Sequence, residues 1–160
     1  MAESSSLSWL VAVPWGLVAI GWIVANHQNN GRENRKDARA KIDSIRKSID
    51  EVEDYAVQHH TSAQDLVLCM KIKRVMARIS KEIQVVTVVG MKTDEAQRAL
   101  TRLRQAATLN NFESSAYVQL APSDPIVADI GATSDGLRSQ LERIYSERFQ
   151  KRFFQRLLPR

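Results

Sequence analysis

His59 and His60, Cys69, and the carboxylates Glu51, Glu53 and Asp54 are the side chains whose types could carry chemistry. A zinc site needs three or four N, S or O ligands converging on one point. Adjacent residues of a helix diverge by about 100°, so His59 and His60 cannot offer both rings to one ion from a common face. They read instead as helix-end histidines, where the C-terminal dipole favours the imidazolium form. Cys69 sits in an apolar run with Val67, Leu68 and Met70 and has no histidine close in sequence. It reads as a small buried hydrophobe, and a lone cysteine forms no internal disulfide. Glu51, Glu53 and Asp54 share one solvated helix with basic neighbours, which does not make a general acid/base pair. No Walker loop, G-x-G-x-x-G, H-E-x-x-H, EF-hand loop or G-x-S-x-G pattern is present. The reading is a non-enzymatic protein with no catalytic residue, no metal ligand and no cofactor.

The charge is more informative. The 160 residues carry a formal net charge of +5. Residues 138–160 alone hold seven Arg or Lys against Glu142 and Glu147, so the excess belongs to the tail. There Phe149, Phe153 and Leu157 recur at i, i+4 and i+8, while Arg148, Lys151, Arg152 and Arg156 supply cations. A basic amphipathic helix of this kind lies on an anionic membrane surface or docks into a partner groove. The plainer reading is that the phenylalanines fold back onto a helical core and the arginines are merely solvated. The alternative of phosphate contacts to nucleic acid is weaker, because no groove-reading motif or ribonucleoprotein signature accompanies the cations.

Stepping along the chain, residues 1–6 form a short tail and residues 7–25 are nearly all apolar. Nineteen such residues approach the ~20 that a helix needs to cross a hydrocarbon layer of roughly 30 Å. A buried core helix would show a polar face, and a cleaved signal would follow a basic segment rather than "MAESSS". The stretch is therefore read as an uncleaved transmembrane helix, with Trp9 and Trp22 near the headgroups, Trp15 at mid-depth and Pro14 able to bend it. Ser8, Ala12, Gly16 and Ala19 share one face on which another helix can approach closely. After it, across a junction at residues 26–34, come Arg32, Arg35, Lys36, Arg39 and Lys41. This asymmetry of basic residues places the N-terminus outside and residues 35–160 in the cytoplasm, a basis for membrane-lipid contact.

The cytoplasmic part reads as about four helices. Ala38, Ile42, Ile45, Ile49, Val52 and Ala56 alternate steps of four and three, the spacing of a heptad seam. The seam belongs either to a bundle or to a self-associating stalk continuing the membrane helix. Thr61 and Gln64 have the form of a capping box opening a second helix, with Leu68, Ile72, Val75, Ile79, Ile83 and Val86 inward and Gly90 at its end. Thr93 or Asp94 caps a third, whose stripe is Ala96, Leu100, Leu103 and Ala107. "NFESSAYVQLAPS" has no helical period. Asp124 and Pro125 then begin a fourth helix through Ile126, Ile130, Leu137, Leu141 and Ile144, with Gly131 and Gly136 as points of interruption. The expected fold is all-α: one transmembrane helix followed by a cytoplasmic bundle.

"GWIVANHQNNGRENRKDARAKID" resembles the start of many small bacterial single-pass membrane proteins, in which a Trp-containing membrane helix runs into an Arg/Lys/Glu-rich one. That likeness implies the bacterial inner membrane and carries no assigned activity. The plan as a whole is similar to the membrane accessory protein of RNA-targeting CRISPR systems, with its N-terminal membrane helix, helical cytoplasmic domain and oligomeric, pore-like assembly. The resemblance implies a homo-oligomer, pore formation and an accessory part in phage defence. The Arg-x4-6-His element associated with that family has no counterpart, since no Arg here has a His at that spacing, so no nuclease role is implied. The expected function is a membrane-anchored helical interaction module, self-associating through the small-residue face and the seam, with a protein partner besides.

Overall fold

The computed structural model describes residues 6–149 apart from 89 and 110, with side chains described from residue 31 onward. Four helices follow in order: α1 (Ser6–Thr61), α2 (Leu66–Val88), α3 (Asp94–Thr108) and α4 (Pro125–Phe149). No strand occurs among the described residues. Two compact units are distinguished, Met1–Asp37 and Ala38–Arg160. Residues 26–34, read from sequence as a junction, are helical: nothing in "NHQNNGREN" blocks helix except Gly31, and one glycine costs only about 1 kcal/mol. Among the described residues no helix is long and apolar enough to cross a membrane. The apolar stretch 7–25 lies outside the residues whose side chains are described.

Within the second unit the heptad spacing of α1 becomes a core. Ile42, Ile45, Ile49, Val52 and Ala56 are fully buried and Ala38 nearly so. They meet Ile72, Ile79 and Ile83 of α2, Leu103 of α3, and Ile130, Leu137 and Leu141 of α4 in one cluster. Cross-helix contacts fix the directions. Glu51 pairs with Arg78, and Lys71 stands over the Tyr55 ring at 5.2 Å, so α2 runs back along α1. The Thr87 and Thr93 hydroxyls lie 2.6 Å apart where α2 hands over to α3, and His60 reaches the Ala107 carbonyl where α3 ends. Arg39 and Arg46 both bind Glu142, while Arg138 binds Asp50 and Glu53, so α4 runs antiparallel to α1. The result is an up-down-up-down four-helix bundle. α3 packs more closely on α4 than on α2, as its inward alanines Ala96, Ala99 and Ala107 allow. Neither Gly131 nor Gly136 interrupts α4.

The boundaries depart from sequence expectation at two places. Thr61 ends α1 instead of capping α2, its hydroxyl donating back to the Val57 carbonyl at 2.8 Å. Asp65 caps α2, accepting the Val67 N–H at 2.7 Å, and Gln64 instead reaches the Ser114 carbonyl at 3.0 Å. Thr93 occupies the N-cap position of α3 but makes no side-chain cap, because its hydroxyl is taken by Thr87. Gly90 closes α2 at φ 82°, the left-handed conformation that only glycine enters without cost. A Cβ there would also stand 3.2 Å from the Arg148 guanidinium.

Candidate functional site

The end of the bundle where α1 stops gathers the residues that looked chemical. α1 leaves carbonyls without helical partners, and the irregular segment after α3 supplies donors for them. Tyr117 Oη lies within bonding distance of the His59 and Ser62 carbonyls, the latter at 2.7 Å. The Leu120 N–H donates to the His60 carbonyl at 2.8 Å, and Gln119 Nε2 to that of Thr61 at 2.7 Å. Asn111 holds the segment in shape, donating to the Val118 carbonyl at 2.5 Å and accepting its N–H at 2.9 Å. A connection this long is unusual between adjacent helices, and here its surplus length caps α1.

His59 and His60 are both fully buried beneath that cap, with ring centroids 5.1 Å apart. Phe112 and Tyr117 flank His59 at 5.3 and 5.4 Å. This corrects the expectation of charged helix-end histidines: burial, then the neighbouring His60, push the His59 pKa below its ordinary value. His60 Nε2 is 3.2 Å from the Ala107 carbonyl, to which a ring N–H there would donate, and Nδ1 is buried with no partner. Cys69, expected as a buried hydrophobe, is fully buried. The fold nevertheless brings its Sγ to 3.8 and 3.9 Å from the two nitrogens of His59, a pairing that sequence proximity did not show. Two nearly equal distances align the sulfur with neither lone pair, and burial raises the thiol pKa. A neutral thiol beside a neutral imidazole is not an activated nucleophile. No group of three potential metal ligands occurs among the described residues.

The membrane-packing residues Ser8, Ala12, Gly16 and Ala19 lie outside the described side chains, as do Lys151, Arg152, Phe153, Arg156 and Leu157 of the tail. Arg32, Arg35, Lys36 and Lys41 are exposed. Arg39 is not a free cation like them. It binds Glu142 at 2.8 Å and Asp43 at 3.2 Å and stands 5.4 Å over the Tyr145 ring. The Glu142 hydrogen bond is the main cause that holds its guanidinium more firmly charged. Phe149 is half-buried, packed on the core with its ring 5.0 Å from Tyr145, and Arg148 rests against Gly90. At the start of the tail, then, the phenylalanine folds back onto the bundle. The seam Ile42, Ile45, Ile49, Val52 and Ala56 is spent on the chain's own core, which corrects its assignment as a self-association surface: no area is left for a second chain.

What sequence reading missed is the outer side of α2. Leu66, Val67, Met70, Val85 and Val88 are between 46% and 88% exposed, and Ala77 is exposed with them. At about 100° per residue these six fall within one arc of roughly 100°, diametrically opposite the buried stripe. Arg74 and Lys81 lie in the same arc, and no acid does. Among the described side chains, the outward positions of the other helices are polar or alanine apart from Pro125 at the start of α4: Lys41, Lys47 and Asp54 on α1, Arg98 and Arg102 on α3, Ala132 and Asp135 on α4. Single exposed valines need no explanation, but a stripe confined, among the described side chains, to one helix marks an interaction surface. The signal was present in "IQVVTVV", whose valines cannot all face one core. No family model, curated protein or solved structure matches this chain, so its function rests on these side chains alone.

Proposed function

We propose that the chain is a membrane-anchored, non-enzymatic helical interaction module. Residues 7–25 span the bacterial inner membrane, the N-terminus lies outside, and the four-helix bundle works in the cytoplasm. The observation that carries this reading is the uncharged run 7–25, closed by the exposed cations Arg32, Arg35, Lys36 and Lys41. The same helix α1 then supplies the bundle core, so anchor and module are parts of one element. Its partners are membrane lipid, further copies of itself packed through Ser8, Ala12, Gly16 and Ala19, and a protein recognised by the bundle. Pore formation and an accessory part in phage defence rest on resemblance of plan alone.

Alkaline extraction of membranes containing the full chain tests the anchor: the protein stays in the membrane pellet, whereas Leu10→Arg with Val18→Arg releases it. A wild-type chain released with peripheral proteins ends the reading. Mass measurement in detergent tests self-association, and a strictly monomeric particle removes the oligomer and the pore together.

A further inference from the structure

We propose that the outer face of α2 is the docking site for an acidic amphipathic helix of another protein. The inference rests on the reading of the chain as an interaction module and names the chemistry of its partner. The face runs from Leu66 to Val88, about 33 Å at 1.5 Å per residue, with Leu66, Met70, Ala77, Val85 and Val88 following one another at spacings of four, seven, eight and three. Such a ridge is complementary to the grooves of a second helix of about six turns.

Charge selects the occupant. α2 carries Lys71, Lys73, Arg74, Arg78 and Lys81 against Glu82 alone. Lys73 is neutralised by Glu113 and Arg78 by Glu51, while Arg74 and Lys81 make no ion pair among the described residues. Both stand inside the apolar stripe, flanking Ala77 at its middle. A second copy is disfavoured on that ground. In parallel pairing Arg74 meets Arg74 and Lys81 meets Lys81; in antiparallel pairing about Ala77 each Arg74 meets a Lys81. Either way two unpaired cations face two others at the centre of a desolvating interface. A helix with apolar residues at the matching positions and Glu or Asp opposite Arg74 and Lys81 satisfies both requirements. Ala77 between them lets the two backbones approach.

The test uses the full chain in zwitterionic nanodiscs, empty nanodiscs as blank, and two synthetic amphipathic helical peptides. Both carry leucine at heptad a and d positions; one has glutamate and the other lysine at the flanking positions. The acidic peptide binds, more weakly as salt rises, and the basic one does not. Arg74→Glu with Lys81→Glu weakens the acidic peptide about tenfold or more and lets the basic one bind. Both sites are exposed, so an unchanged melting curve checks the fold of the variant. Equal binding of the two peptides, no binding of the acidic one, or indifference to the charge reversal overturns the proposal. So does crosslinking of Val85→Cys to a second copy at the level of an interface. Loss of the protein from the nanodisc would instead count against the anchor, since peptide binding is read separately.

Discussion

Arg138 holds two helices together with one guanidinium. It donates to Asp50 at 2.6 Å and Glu53 at 2.6 Å on α1, and to Asp135 at 2.7 Å one turn back on α4. Its side chain is only 21% exposed, against 60% for Asp50 and 79% for Asp135. Burial alone would favour the neutral form, but the hydrogen bonds Arg138 donates to Glu53, Asp50 and Asp135 outweigh it and hold the group above its ordinary pKa. Exposed pairs contribute ~0–1 kcal/mol each, so Arg138→Met is expected to cost about 1–2 kcal/mol in urea unfolding, with Glu53 left half-buried as the larger part. His59 makes a prediction of opposite sign in pH. Its folded pKa is depressed, so above about 6.5 the group is neutral in both states and stability is whole. Below 6.5 the unfolded chain takes up the proton first, and stability falls as pH falls. His60, Cys69 and Tyr117 surround the ring, and Asp65 and Glu113 act on it weakly from outside. Replacing His59 by Gln removes this component while leaving the carboxylates to titrate. The melting temperature of His59→Gln therefore changes less than that of wild type between pH 7 and pH 5.5, and parallel slopes would count against a depressed histidine.

At the scale of elements, the helices were legible, and so were Asp124 as the cap of α4 and Gly90 as the end of α2; the caps that open α2 and α3 were not. Apolar spacing alone located the inward stripes of all four, because a face that packs must repeat at the helical period. The α1–α2 turn was misplaced since Thr61-x-x-Gln64 and Asp65 offer equally good local capping chemistry; the choice was made by Tyr117 and Gln119, more than fifty residues away, which claim the carbonyls around Thr61. "NFESSAYVQLAPS" could not be read as a cap for the same reason: its partners lie on another helix. Asn111 tests that account. Asn111→Ala removes both bonds to Val118, an exposed residue whose backbone N–H and carbonyl then exchange a fixed partner for water. The expected cost is about 1–3 kcal/mol, with faster amide exchange at Leu120, whose N–H caps His60. Normal exchange at Leu120 in a destabilised variant would show that the segment caps α1 without Asn111. The outer stripe of α2 was overlooked for a different reason. Once one face of a helix has been assigned to a core, its remaining apolar residues are easily taken as incidental; only burial separates the two sets.

For the whole molecule, two surfaces could join copies of this chain, and the bundle has already used one. If the α1 seam paired between chains, its isoleucines would keep exposure within a single copy; they keep none. Truncating one therefore acts on folding. Ile49→Ala removes most of a fully buried side chain from the centre of the core and is expected to cost about 2–5 kcal/mol, depending on how far the cavity collapses. The particle mass of the folded protein in detergent should stay as it is. Gly16→Leu adds bulk to the small-residue face of the proposed anchor and should do the reverse: a lower mass, because close helix approach in lipid depends on small side chains, with the melting curve of the bundle unchanged. The two variants measured together separate the surfaces. An Ile49→Ala protein that melts like wild type yet falls to a monomer would mean the seam pairs between chains after all. A Gly16→Leu protein of unchanged mass would place any self-association outside the small-residue face of residues 7–25.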